Sequence, residues 1–295
     1  EPETATPSNA AQLSAGDVQK LIDALPATDK LTTMTKDEQN AVYADLQAAY
    51  EAYEALTEDE QALLTGTEVF ESLFHFFNGM VNLLAENGVS YLDENGSKQT
   101  ADNVTVVDSS MTEWQSGWYV VNSNITIDSR VTVKGEVHLI LADGASLTVH
   151  DDINVAQGNS FTVYAQSAGA DMGVLTVKNK GMDEAGIGGG SWENAGTITI
   201  NGGNVTATGG SFAAGIGGGN KASGGTITIN GGKVTANGGN LSAGIGSGNR
   251  ASSSGDITIN GGIVTATGDG GAGIGGGKYG SGGSVTISGG NVTAT

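Results

Sequence analysis

GTITINGGNVTATGGSFAAGIGGG, residues 196–219, is the stretch on which the fold turns, because its pieces keep returning. GIGGG begins at Gly186, Gly215 and Gly273, with a GIGSG variant at Gly244, a spacing of 29 residues each time. Between these copies stand GTITINGG at Gly196 and Gly225, GDITINGG at Gly255 and GSVTISGG at Gly283. A VTA segment follows each, at Val205, Val234, Val264 and Val292. Within one copy, apolar and polar residues alternate with period two, which puts Ile198, Ile200, Val205 and Ala207 on one face and the threonines on the other. Later copies keep that register, and Ile187, Ile216, Ile245 and Ile274 supply a third apolar row. The Asn-Gly-Gly steps at Asn201, Asn230 and Asn260 provide turn chemistry. A fixed period of strands and turns predicts a stacked solenoid rather than a globular core. Three short strands per ~29-residue coil specify a mainly β fold, a parallel β-helix.

Upstream, strand-like runs at 118–121, 124–127, 137–141, 146–149, 161–164 and 174–177 read as less regular coils. The first 96 residues differ. Ser14 with Asp17, Thr35 with Glu38 and Thr57 with Glu60 form capping boxes ahead of apolar-periodic runs. A fourth helix is expected from Thr67 to about Glu86, carrying Phe70, Leu73, Phe74, Phe77, Met80 and Leu84 and ending at Gly88. The expected organisation is an acidic helical bundle over 1–96, placed to cap the solenoid. It is followed by a β-helix over 97–295, irregular over 97–180 and regular over 181–295. The sequence opens at Glu1 and stops within a repeat at Thr295, so a removed leader and further coils are expected on either side.

The formal net charge is −20, of which residues 1–96 carry −15. Such a balance disfavours nucleic acid and anionic membrane surfaces as partners. No apolar run approaches the ~18 residues of a membrane span. The absence of cysteine removes disulfides and thiolate chemistry. Gly268–Gly273 satisfies GxGxxG, but a glycine turn and another strand follow it where a dinucleotide site needs a helix. No cofactor or metal is expected; His150-Asp151-Asp152 reads as a solvated turn.

Two kinds of side chain remain. Trp192, Tyr279, Phe212 and Trp114 are candidates for stacking on sugar rings, whose apolar faces suit exposed aromatics. Asp151, Asp152, Asp171, Asp183, Glu184 and Glu193 are the acids from which a polysaccharide-cleaving site could be assembled on the irregular coils. The outward threonine rows raise ice binding, which Asn237 and Asp256 weaken by interrupting the neighbouring rows.

The segments GWYVV, NITI, RVTVKGEVHLILADGASLTV, INV and SFTVYAQ, then AGIGGG and GTITINGGNVTATGG, together resemble secreted or wall-associated proteins of Gram-positive bacteria. These are similar to pectin-lyase-like right-handed β-helix proteins and are commonly labelled carbohydrate-binding or adhesin-like. The resemblance spans about residues 103–295 and brings no catalytic residue to a numbered position. It implies an extracellular, secreted or cell-wall-associated protein that meets a glycan or host surface component without catalysis. The alternatives are a polysaccharide lyase or hydrolase and a purely structural stalk.

Overall fold

The computed structural model describes residues 13–31, 33–70, 72–73 and 85–295. The chain divides into two compact units between Leu83 and Leu84.

In the first unit, α1 (Ala15–Ala24), α2 (Thr28–Leu31), α3 (Lys36–Glu54) and α4 (Glu58–Gln61) form a helical bundle. The capping boxes at Thr35 and Thr57 close with both bonds, and at Ser14 the N-cap bond forms. Thr35 N–H donates to Glu38 Oε2 at 2.7 Å while Glu38 N–H donates to Thr35 Oγ1 at 3.4 Å, and Thr57 and Glu60 repeat the exchange. Ser14 caps α1 by accepting from Asp17 N–H at 3.3 Å. Val18, Ile22, Leu31, Leu46, Ala49, Leu56, Phe70 and Leu73 make the core. Gln19 ties α1 to Thr65, donating to its carbonyl at 3.0 Å and accepting from its amide at 2.9 Å.

The helix expected over 67–86 does not extend to Glu86. Ala85–Glu86 is a short strand, paired antiparallel with Val104–Thr105. Asn87-Gly88 then turns the chain, with Gly88 N–H donating to Asp102 Oδ1 and Asn103 N–H to Asn87 Oδ1. The side chains at Phe74, Phe77, Met80 and Leu84 lie outside the described residues. Val89–Leu92 and Lys98–Ala101 form a hairpin across the Asp93–Gly96 turn. The boundary expected after residue 96 therefore falls inside a hairpin belonging to the second unit.

That second unit is a parallel β-helix, and the crossovers of such a coil are right-handed. Three sheets run along its axis. The first contains Gly117–Val121, Glu136–Leu141, Ser160–Ala165, Thr197–Ile200, Thr226–Ile229, Asp256–Ile259 and Ser284–Ile287. The second runs from Asn124–Ile127 to Asn291–Ala294, and the third from Glu113–Trp114 through the Ile-Gly pairs to Ile274–Gly275. Val137 pairs with Phe161 and Phe161 with Ile198, so successive irregular coils consume 24 and then 37 residues. Ile198 then pairs with Ile227 at a separation of 29.

The apolar rows are the core. Ile198, Ile200, Val205, Ala207 and Ile216, with their equivalents one coil below, are fully buried. Each buried Ile or Val contributes about 1.5–3 kcal/mol relative to exposure. Outside, the threonine row of the second sheet runs unbroken through Thr126, Thr148, Thr176, Thr206, Thr235, Thr265 and Thr293. At the turn after the first sheet, Asn230 Nδ2 donates to Asn201 Oδ1 and Asn260 Nδ2 to Asn230 Oδ1, each at 2.8 Å. Against the first sheet the hairpin lays Tyr91, its ring 4.8 Å from Trp118 and from Tyr164.

Candidate functional site

The turn that leaves the third sheet holds one residue per coil in the left-handed region: Trp192 (φ 63°), Lys221 (φ 59°), Arg250 (φ 58°) and Tyr279 (φ 60°). They recur every 29 residues, each five positions beyond a buried or half-buried isoleucine of the third sheet. A side chain in that conformation costs roughly 1–2 kcal/mol that glycine would not. In a sequence with 49 glycines, four consecutive coils nevertheless carry a large side chain there.

The backbone fixes these positions. Trp192, Lys221 and Arg250 each donate their amide to the next coil, to the carbonyls of Asn220, Asn249 and Lys278, at 2.8–2.9 Å. A second row flanks the first. Asn220 N–H donates to the Asp183 carbonyl at 2.7 Å, Asn249 N–H to Phe212 at 3.1 Å and Lys278 N–H to Leu241 at 2.8 Å. The third edge of the solenoid thus carries two parallel strips: Trp192, Lys221, Arg250, Tyr279 on one side and Asp183, Phe212, Leu241 on the other.

Trp192 is 72% and Tyr279 70% exposed. The cations lie over the rings, Lys221 Nζ 4.1 Å from the Trp192 centroid, Lys278 Nζ 5.2 Å and Arg250 Cζ 5.8 Å from that of Tyr279. Trp192 heads the row. In the coil before it Val155 donates to Gly188 and Gln157 to Asn194, so residues 189–193 bulge opposite Ala156 alone. Successive rows are ~4.8 Å apart, which makes the four-residue strip ~14 Å long.

The other sequence candidates fall elsewhere. Trp114 is fully buried, its ring 5.5 Å from Tyr119 and 5.9 Å from Phe161, so it packs inside the solenoid and cannot stack on a ligand. Phe212 is half-buried in the flanking strip, its carbonyl accepting from Asn249, the residue before Arg250. Lys221 and Arg250 were missed, although adding 29 to Trp192 finds both.

The six acids do not converge. Arg130 gathers two of them, its Nε 2.8 Å from Asp152 Oδ1 and its terminal nitrogen 3.8 Å from Glu184. Burial pushes the Asp152 carboxyl up to about 6, against the pull of Arg130. The residue is wholly enclosed and its Oδ2 has no hydrogen-bond partner among the described residues. Asp151 lies beside it, half-buried. Glu193 accepts from Asn154, and Asp183 accepts from Ser191 and Asn220. Asp171 is exposed in a separate loop, where its carbonyl meets Gly144 N–H. His150 pairs with Asp128 at 2.7 Å, and no group of three metal-ligating side chains occurs among the described residues. A cleft of about 430 Å³, bounded by Ala168, Met172, Asn204, Lys233 and Ile263, has no aromatic side chain in its lining.

A family model described as Beta helix repeat matches residues 198–220, 227–249, 257–278 and 285–295. No curated protein and no solved structure matches. Among the described residues no helix is long and apolar enough to cross a membrane. The regular coils, in sequence as in geometry, are similar to β-helix repeats.

Proposed function

We propose that the protein is a non-catalytic module of a secreted or cell-surface protein that binds glycans along the third edge of its β-helix. One observation carries this reading: a row of large side chains holds the left-handed conformation where glycine would be cheaper, with a largely exposed aromatic ring at either end that shares its surroundings with a cation. Strain of that kind, repeated coil after coil, points to use of the side chains. Exposed rings offer the CH faces of sugars an apolar platform and lose little conformational entropy on binding. The resemblance to pectin-lyase-like proteins of Gram-positive surfaces supports the same placement.

The test is a glycan-array screen that scores retention and release of reducing ends together. Retention without release, reduced at least tenfold by Trp192→Ala or Tyr279→Ala, is the expected result. Retention unaffected by both substitutions would move the site elsewhere. A polysaccharide-cleaving reading has one observation in its favour, the raised carboxyl of Asp152 beside Arg130 and Glu184. Its enclosure argues against contact with substrate, and release of reducing ends abolished by Asp152→Asn would reinstate it.

A further inference from the structure

Resting on that reading, we infer that Asp183 is a positioning residue of the strip: its carboxylate fastens together the turns that carry Trp192 and Lys221 and presets ring and cation before a ligand arrives. Asp183 stands outside the strip, at the head of the flanking row. Its Oδ2 accepts from Ser191 Oγ at 3.4 Å and its Oδ1 from Asn220 Nδ2 at 3.1 Å. Ser191 directly precedes Trp192, and Asn220 directly precedes Lys221. The Asp183 carbonyl accepts from Asn220 N–H at 2.7 Å, while the Asn220 carbonyl accepts from Trp192 N–H at 2.9 Å. One carboxylate therefore reaches both coils. The Asn220 amide takes its orientation from this contact, since its Oδ1 is buried with no hydrogen-bond partner among the described residues. Turned over, it would present an oxygen to the carboxylate.

The clamp is itself anchored. Asp183 N–H donates to Glu184 Oε2 at 3.2 Å. Glu184 Oε1 lies 3.8 Å from the terminal nitrogen of Arg130, and Arg130 Nε meets the buried Asp152. Asn179 closes the same loop, donating to the Glu184 carbonyl at 2.9 Å and accepting from Gly181 N–H at 2.6 Å. In the next two coils the flanking residues are Phe212 and Leu241, which accept through their backbone carbonyls and whose side chains offer no acceptor. The two ends of the strip differ accordingly. Lys221 Nζ lies 4.1 Å from the Trp192 centroid, whereas the cations at Tyr279 lie 5.2 and 5.8 Å away. Side chains already held in their bound arrangement lose less freedom on binding, so Asp183 contributes affinity without touching the glycan.

The experiment reads Trp192 in the unliganded protein by time-resolved fluorescence anisotropy. Trp192 is one of three tryptophans, so Trp192→Phe supplies the signal of Trp114 and Trp118 for subtraction. Asp183→Ala is expected to raise the nanosecond motional amplitude of Trp192 about twofold, and Ser191→Ala to produce part of the same change. Affinity for those array glycans whose retention needs Trp192 should fall about three- to tenfold in Asp183→Ala. In a background of Trp192→Ala with Lys221→Ala, removing Asp183 should cost less than about twofold. A lowered melting temperature with Trp192 motion unchanged would leave Asp183 merely structural and overturn the inference while glycan binding stood. An undiminished affinity loss in the double background would make Asp183 a direct ligand contact and overturn it as well. If Asp183→Ala fails to fold, Ser191→Ala decides alone, since it removes a single bond of the clamp and must still loosen the ring. A loosened ring in a protein that retains no glycan would sustain the clamp and overturn the glycan-binding reading instead.

Discussion

Trp192 spends conformational energy to stand where it does, and that expenditure can be measured separately from its use. Replacing it with glycine relieves the left-handed strain and removes a ring that is mostly in solvent. Trp192→Gly should leave the denaturation midpoint unchanged or raise stability by up to about 1 kcal/mol, while glycan affinity falls at least tenfold. A loss of several kcal/mol would instead make the ring a structural part of the turn. Asp152 allows a second test at this scale. Its carboxyl titrates near 3.8 when unfolded and near 6 in the folded coil, chiefly because burial opposes its charge. Between those values the folded chain keeps a proton that the unfolded chain has released. The contribution is therefore most favourable below pH 4 and is lost as pH rises through 6. Urea titrations of wild type and Asp152→Asn should differ across pH 4–7 by on the order of 2–3 kcal/mol, the variant lacking that decline. Parallel profiles would mean that Arg130 compensates the buried charge fully.

The third sheet shows what a two-residue strand can and cannot tolerate. Gly217 sits at φ 129°, and a side-chain carbon there would run into the backbone of Gly246 in the next coil. Gly217→Ala should cost more than about 3 kcal/mol or abolish folding of the regular coils, whereas Thr206→Ala on the outer face should change stability by about 0.5 kcal/mol or less, both read by thermal denaturation. These elements also explain how much could be read in advance. Rows of isoleucine, valine and threonine at a fixed period announce inward and outward faces, and the capping boxes announce helix starts. Trp114 escaped because a strand of two residues has too little alternation to show which way it faces. The helix over 67–86 was overextended because Asn87-Gly88 reads equally well as a helix stop and as the turn between strands that it is. The hairpin over 89–101 carried a signal in Asn95-Gly96, but the change of composition nearby drew the boundary through it. At the site, exposed aromatics were legible one by one. The strip was not, since it depends on which turns lie side by side.

Over the whole second unit, neighbouring coils are the unit of cohesion, and a solenoid of this kind should survive loss of an entire repeat. Deleting residues 216–244 joins Gly215 to Ile245 and removes Lys221 from the strip. Circular dichroism per residue and the cooperativity of melting should persist, while glycan affinity drops; an unfolded product would show that the coils depend on more than their neighbours. The regular coils also contain a small irregularity. Thr226 pairs with Asp256 at a separation of 30 and Asp256 with Ser284 at 28, yet Ile216, Ile245 and Ile274 keep to 29. The extra residue enters after Arg250, between Ile245 and Ile257, and the missing one is taken between Val264 and Ile274. Each step from one third-sheet strand to the next is unchanged in length, so the binding residues never lose their phase. In a lineage of such chains, insertions and deletions should be inherited as compensating pairs. A length change left uncorrected would carry every later side chain off the edge on which it is used.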